Sequence, residues 1–177
     1  MVAGQQYRIN TDYRSCLRVI LAFEDNDLTP QEKQSVLLDN IYQVVPGDLE
    51  QAFIQALWFL NSGRQQDAES DGARLYSFAK DASFIFSAFK QTHDLDLRNA
   101  ELHWWVFLAL FMDLGTDTTF CQLIGLRKRL SNGTASKEER RAALDMGDLL
   151  NVPDVDDHTL EEKERMAEFM RYAKGLS

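Results

Sequence analysis

The chain has 177 residues, 45% of them apolar, and carries 28 acidic against 19 basic side chains for a net charge of −9. That length and apolar content suit one ordinary folded core and exclude a disordered segment or a small scaffold that needs staples. The acidic balance excludes nucleic acid as the main partner, because phosphate recognition needs clustered Lys and Arg, and it suits a partner with a basic or mixed surface.

Helical signals recur from the N-terminus onward. Thr11 or Asp12 is placed to cap a first helix whose stripe is Tyr13, Leu17, Ile20 and Leu21, the i, i+4, i+7, i+8 spacing of one face. The acidic turn Glu24-Asp25-Asn26-Asp27 ends it. Thr29-Pro30-Gln31-Glu32 is a capping box with proline at the first helical position. Leu37, Ile41, Val44 and Val45 supply the buried face of that second helix, and Pro46-Gly47 stops it. Asp48 and Gln51 open a third, with Phe53, Ala56, Leu57 and Leu60 on one face and Trp58 widening it.

Asn61 to Gly72 reads as a polar loop. A fourth helix follows with Leu75, Phe78, Ala79, Ala82, Phe86 and Phe89 at helical spacing. Gln91 to Arg98 is a turn, and Asn99 is placed to cap the fifth helix. That helix, Leu102 to Met112, is apolar almost all round, as expected at the centre of a bundle. Thr116 or Asp117 caps a sixth helix with Phe120, Leu123 and Ile124 inward, and Ser131-Asn132-Gly133 breaks it. Ser136 and Glu139 form a second capping box, opening a helix with Ala142, Ala143, Met146, Leu149 and Leu150. Thr159 and Glu162 open the last, where Met166, Phe169, Met170 and Ala173 form a clean stripe.

No hairpin signal flanked by alternating residues supports a sheet. The expected fold is all-α: a compact bundle of about six helices over residues 1–131, with residues 132–177 as an appended helical hairpin. After Ser131 the aromatics thin to Phe169 and Tyr172 while charge density rises.

Met1 to Asn10 lacks a basic patch followed by an apolar run, so no signal peptide is expected. The apolar run Trp104 to Met112 is about half of the roughly 20 residues needed to cross a bilayer, so no membrane association is expected and the cytoplasm is the expected compartment. Cys16 and Cys121 are not spaced as a redox or zinc motif and read as buried free thiols.

Each chemically suggestive residue has an ordinary structural use. His103 has no second His or Cys at three or four residues' distance and reads as a core or rim histidine with one hydrogen bond. Asp154, Asp156, Asp157 and His158 cluster before a helix start, but Thr159 and Arg165 stand where a calcium loop needs Gly and Glu. Glu24 to Asp27 reads likewise as an acidic turn. Arg127-Lys128-Arg129 lies at a helix C-terminus, where cations offset the dipole. Asp81, near a buried stripe, is expected to pair with Arg14 or another Arg. No phosphate loop or nucleophile elbow is present. No catalytic, cofactor or metal residue is therefore assigned, and the chain reads as a binding or assembly protein.

Five pieces occur in one order: Thr11-Asp12-Tyr13-Arg14; Trp58-Phe59-Leu60 with Gly63 after it; Phe78 and Asp81-Ala82 running to Phe89; Leu95-Asp96-Leu97; and Leu102-His103-Trp104-Trp105 with Phe107. Over roughly residues 9 to 130 this order resembles the gene-product-fifteen family of Listeria-type siphophages, small proteins of tailed phages and prophages. Phe84 and Phe86 depart from it, standing where a tyrosine-type aromatic is expected, and the chain beyond Ser131 matches poorly.

The resemblance implies a gene between those of the major tail protein and the tape measure protein, the position of tail assembly chaperones. It implies binding of the tape measure protein during tail morphogenesis and absence from the finished virion. It carries no catalytic residues and no cofactor. A structural tail component retained in the particle is the alternative. Met166, Phe169 and Met170 are the expected docking stripe, since Met repacks readily against a helical partner, with ordinary packing against the bundle as the alternative.

Overall fold

The computed structural model describes residues 1–63 and 74–152, and its regular structure is helical throughout. Among the described residues are seven α-helices: α1 (Tyr13–Glu24), α2 (Pro30–Ile41), α3 (Leu49–Leu60), α4 (Ala82–His93), α5 (Trp104–Met112), α6 (Thr119–Ser131) and α7 (Lys137–Met146), followed by a 3-10 turn at Gly147–Leu150. Extended pairing among these residues is confined to the isolated antiparallel bridges Val2 with Gln5, Ile9 with Tyr42 and Asp12 with His103. The all-α expectation holds. The contacts divide the described chain into two units, residues 1–63 with 102–105, and residues 74–101 with 106–152.

Local capping sets the helix starts of the first unit. The Asp12 side chain accepts from the Arg14 amide, and Asp48 accepts from the Gln51 amide. Thr29 and Glu32 cap reciprocally, with Pro30 in the first turn, where its missing N–H costs nothing. α1 packs on α2, and α2 on α3. The core between them holds Cys16, Val19, Leu37, Ile41, Ala52 and Ala56, all at most 1% exposed. Burial, and secondarily the Asp12 charge, pushes the Cys16 thiol up to about 12, so it is an inert core group rather than a nucleophile.

The extended N-terminal arm is lashed to this core by backbone bonds. Asn10 N–H donates to the Ile41 carbonyl at 2.7 Å and Gln43 N–H to the Arg8 carbonyl at 3.1 Å. The Ala3 N–H donates to Gln51 Oε1 at 2.8 Å.

The second unit has an aromatic core. Phe89 and Phe107 stack at 5.1 Å, and Phe111 contacts Phe78 at 5.2 Å and Phe120 at 5.5 Å. α4 packs on α6. Thr118 caps α6 by accepting from the Cys121 amide, and Ser136 and Glu139 form the reciprocal cap of α7. Nothing in α7 or the 3-10 turn is buried, and Leu144 is 82% exposed.

The structure corrects several sequence expectations. The buried positions of α1 are Tyr13, Cys16, Val19 and Ala22, three residues apart, and Leu21 points outward. α2 ends at Ile41, so Val44 and Val45 lie in an exposed connection. α4 begins only at Ala82; Leu75 to Asp81 precede it as an irregular segment and a turn. Asn99 does not cap α5, whose first residue is Trp104. α5 is not buried all round: Trp105, Val106 and Met112 are exposed. The cap of α6 is Thr118 rather than Thr116 or Asp117. The expected helix opened by Thr159 and Glu162 lies outside the described residues.

Candidate partner-docking cleft

A cleft of about 140 Å³ opens in the first unit between the N-terminal arm, the end of α2 and one side of α3. Its floor is buried: Val2, Ile41, Tyr42, Ala56 and Phe59 are each no more than 5% exposed. Its rim is Met1, Tyr7, Ile9, Gln55 and Trp58. No lining side chain carries a charge.

The geometry follows from the sequence. Alternation in the extended arm turns Tyr7 and Ile9 toward the cleft, while Arg8 between them is exposed and does not line it. Along α3, the buried stripe takes Ala52, Phe53, Ala56, Phe59 and Leu60, which leaves Gln55 and Trp58 at its border. Tyr42 is fixed from below, its hydroxyl donating to the Ala52 carbonyl at 2.9 Å, and burial raises its phenol above the ordinary range, so it stays neutral. Tyr7 meets Tyr42 edge to face at 6.3 Å.

Two tryptophans on the first turn of α5 complete the rim from behind. A helix leaves its last carbonyls without intrahelical donors. At the end of α3, the Trp104 indole N–H donates to the Leu60 carbonyl and the Trp105 indole N–H to that of Phe59, each at 2.8 Å. Trp105 in turn meets Trp58 edge to face at 5.9 Å. Gly63, at φ +74°, lies under the Trp58 ring, where an added Cβ would stand 3.0 Å from Cζ2. The result is an apolar cleft with an aromatic ledge, 46% exposed at Trp58 and 38% at Trp105.

The other chemically suggestive residues have structural uses here. His103 is a rim histidine: its Nδ1 accepts from the Trp105 amide at 3.1 Å, and its ring meets Phe59 edge to face. Asp81 is fully buried and pairs with Arg127, not Arg14, through bonds of 2.7 and 2.9 Å. Arg127 is therefore withdrawn from the basic run Arg127-Lys128-Arg129, and Arg129 pairs with Glu139 at 2.7 Å. In the acidic turn, Asp25 accepts from the Asp27 amide. Among the described residues, no group of three His, Cys, Asp or Glu is placed to hold a metal ion, and no helix is long and apolar enough to cross a membrane.

Asp154 to His158 and the expected docking residues Met166, Phe169 and Met170 lie outside the described residues. The cleft itself was not singled out from sequence. Its available signals were the alternation at Tyr7, Arg8 and Ile9 and the place of Trp58 off the buried stripe of α3.

No curated protein and no solved structure matches the chain. A family model described as Bacteriophage Gp15 protein matches residues 1–152, which takes in every described residue of both units. The chain belongs to the Bacteriophage Gp15 protein family.

Proposed function

We propose that this phage protein is a tail assembly chaperone that binds the tape measure protein during tail morphogenesis, acting in the cytoplasm of the host and leaving before the virion is complete. Membership of the Bacteriophage Gp15 protein family carries the reading, joined to the tail-gene position that the family resemblance implies. The molecule supports it physically: an apolar cleft with an exposed tryptophan ledge on an acidic helical scaffold suits a helical client with apolar seams. The proposed action is binding alone, with no catalysis and no cofactor.

The test is co-expression with the tape measure protein encoded beside it. A chaperone keeps that protein soluble and is retained with it in a pull-down; loss of the tape measure protein at every salt concentration overturns the reading. Mass spectrometry of purified virions separates the alternative. Persistence at stoichiometric levels makes the chain a structural tail component, and absence supports the chaperone.

A further inference from the structure

We infer that the cleft between the N-terminal arm and α3 is the docking site itself, and that it takes one bulky apolar side chain from a helix whose flanks carry Lys or Arg. The inference rests on the reading of the chain as a binding partner of a helical protein, and it adds the surface and the chemistry of the segment bound.

Size is the first argument. A dry apolar cavity of roughly 150 Å³ accommodates a benzene-sized group, and this one measures about 140 Å³. It therefore admits a single Leu, Met or Phe side chain rather than a whole helical turn. Such a pocket is built before the partner arrives. Its floor is core, its arm is held by the Asn10, Gln43 and Ala3 amides, and Tyr42 and Trp58 are fixed by Ala52 and Trp105. A preformed pocket that swallows one anchor side chain, beside an aromatic ledge that excludes water, is how a small interface concentrates its binding energy.

Charge is the second argument. Residues 34–63 supply two of the three walls, and they contain Asp39, Asp48 and Glu50 but no Lys, Arg or His. Asp39 and Glu50 are exposed. In the third wall, residues 1–9, the positive groups are the Arg8 side chain and the α-amino group of Met1. Lys33, on the same helix α2, is buried at 2% exposure with its ammonium on the Phe23 carbonyl. Acidic side chains in two walls of a cleft lined by uncharged side chains favour cationic flanks on the segment that docks and disfavour acidic ones.

The experiment uses the full chain and three capped helical peptides of about 16 residues. One carries Leu and Phe along one face with Lys elsewhere. The second replaces each Lys with Glu, and the third replaces the Leu and Phe with Ala. Binding is read by calorimetry and by the NMR signal of the Trp58 indole N–H. The expected result is that the first peptide binds at least about tenfold more tightly than either control and moves the Trp58 signal. Gln55→Lys, an exposed change on the rim, should weaken it about tenfold, and Ala56→Phe, which fills the floor, should abolish it.

If the Ala-faced peptide binds as well as the first, the attraction is generic charge and the proposal fails. It fails also if Trp58 does not respond, or if Gln55→Lys has no effect in a chain that remains folded. A tape measure protein retained equally by wild type and Gln55→Lys overturns the cleft and leaves the proposed function intact. Peptide binding without any retention of the tape measure protein does the reverse.

Discussion

The Asp81 carboxylate and the Arg127 guanidinium, 46 residues apart in the chain, form a two-pronged ion pair at 2.7 and 2.9 Å with neither side chain more than 4% exposed. The pair organises its surroundings. Asp81 also accepts from the Ser77 amide, and Arg127 also donates to the Leu75 and Leu149 carbonyls. One guanidinium thus ties the segment before α4, the start of α4, α6 and the 3-10 turn.

Removing one partner leaves the other charge buried and uncompensated. Arg127→Ala and Asp81→Ala should each cost on the order of 3–5 kcal/mol in urea denaturation. The double variant should cost clearly less than the sum, because the strandings it removes are shared. Additive losses would show that the two groups are not coupled.

The neighbouring tryptophans of α5 should separate sharply. Trp104 is 2% exposed and Trp105 is 38% exposed, although both indoles donate to α3 carbonyls at the same distance. Trp104→Ala should cost about 3–5 kcal/mol, a cavity at the core. Trp105→Ala should cost about 1–2 kcal/mol, chiefly one hydrogen bond and partial burial. Equal losses in thermal or urea unfolding would place the two in equivalent environments.

Local signals in the sequence were legible, and long-range ones were not. The reciprocal caps at Thr29 with Glu32 and at Ser136 with Glu139 form as read, because all their partners lie within four residues. The stripe of α1, the fate of Val44 and Val45 and the late start of α4 were misread, because the buried face is chosen by what packs against it. Leu75 to Ala79 have helical spacing, yet their surroundings are set by Arg127 and by rings such as Phe111, far along the chain. The cleft left only faint signals for the same reason. In residues 1–9 the alternation Tyr7-Arg8-Ile9 is too short to define an element, and the segment takes its conformation from bonds to Gln43 and Gln51. By contrast, the pairing of Asp81 with an arginine followed from its apolar neighbours, although the sequence could not say which arginine.

Gly63 tests the support beneath the ledge. Its φ of +74° disfavours any side chain, and an added Cβ would press on the Trp58 ring at 3.0 Å. Gly63→Ala should destabilise by ~1–3 kcal/mol and perturb the Trp58 indole resonance. In a Trp58→Ala background the steric part of the cost disappears and the backbone part remains, so the penalty should shrink. An unchanged penalty in that background would show that the ring and the glycine do not constrain each other.

The capping carboxylates give stability a defined dependence on acid. Backbone hydrogen bonds, from Thr29 to Glu32 and from Ser136 to Glu139, are the main reason that both carboxyls titrate below their ordinary 4.5. A depressed carboxyl stabilises the fold fully above its unfolded value and ceases to do so as pH falls through its folded value. The caps of α2 and α7 should therefore be at full strength from neutral pH down to about 4.5 and weaken below it. Asp96, held by Arg98 down to about 2, should persist further into acid. Glu32→Gln and Glu139→Gln retain an oxygen that can accept at the cap but cannot titrate. The measurement is the melting temperature from neutral pH to about 2, the Asp96 value, for wild type and both variants. The wild type should lie above the variants at neutral pH and converge on them below about 4.5 as its caps protonate. Because Glu32 is exposed and Glu139 half-exposed, the gap should be modest and should narrow in high salt. Curves that stay parallel through the acid range would show that these caps contribute nothing that depends on their charge.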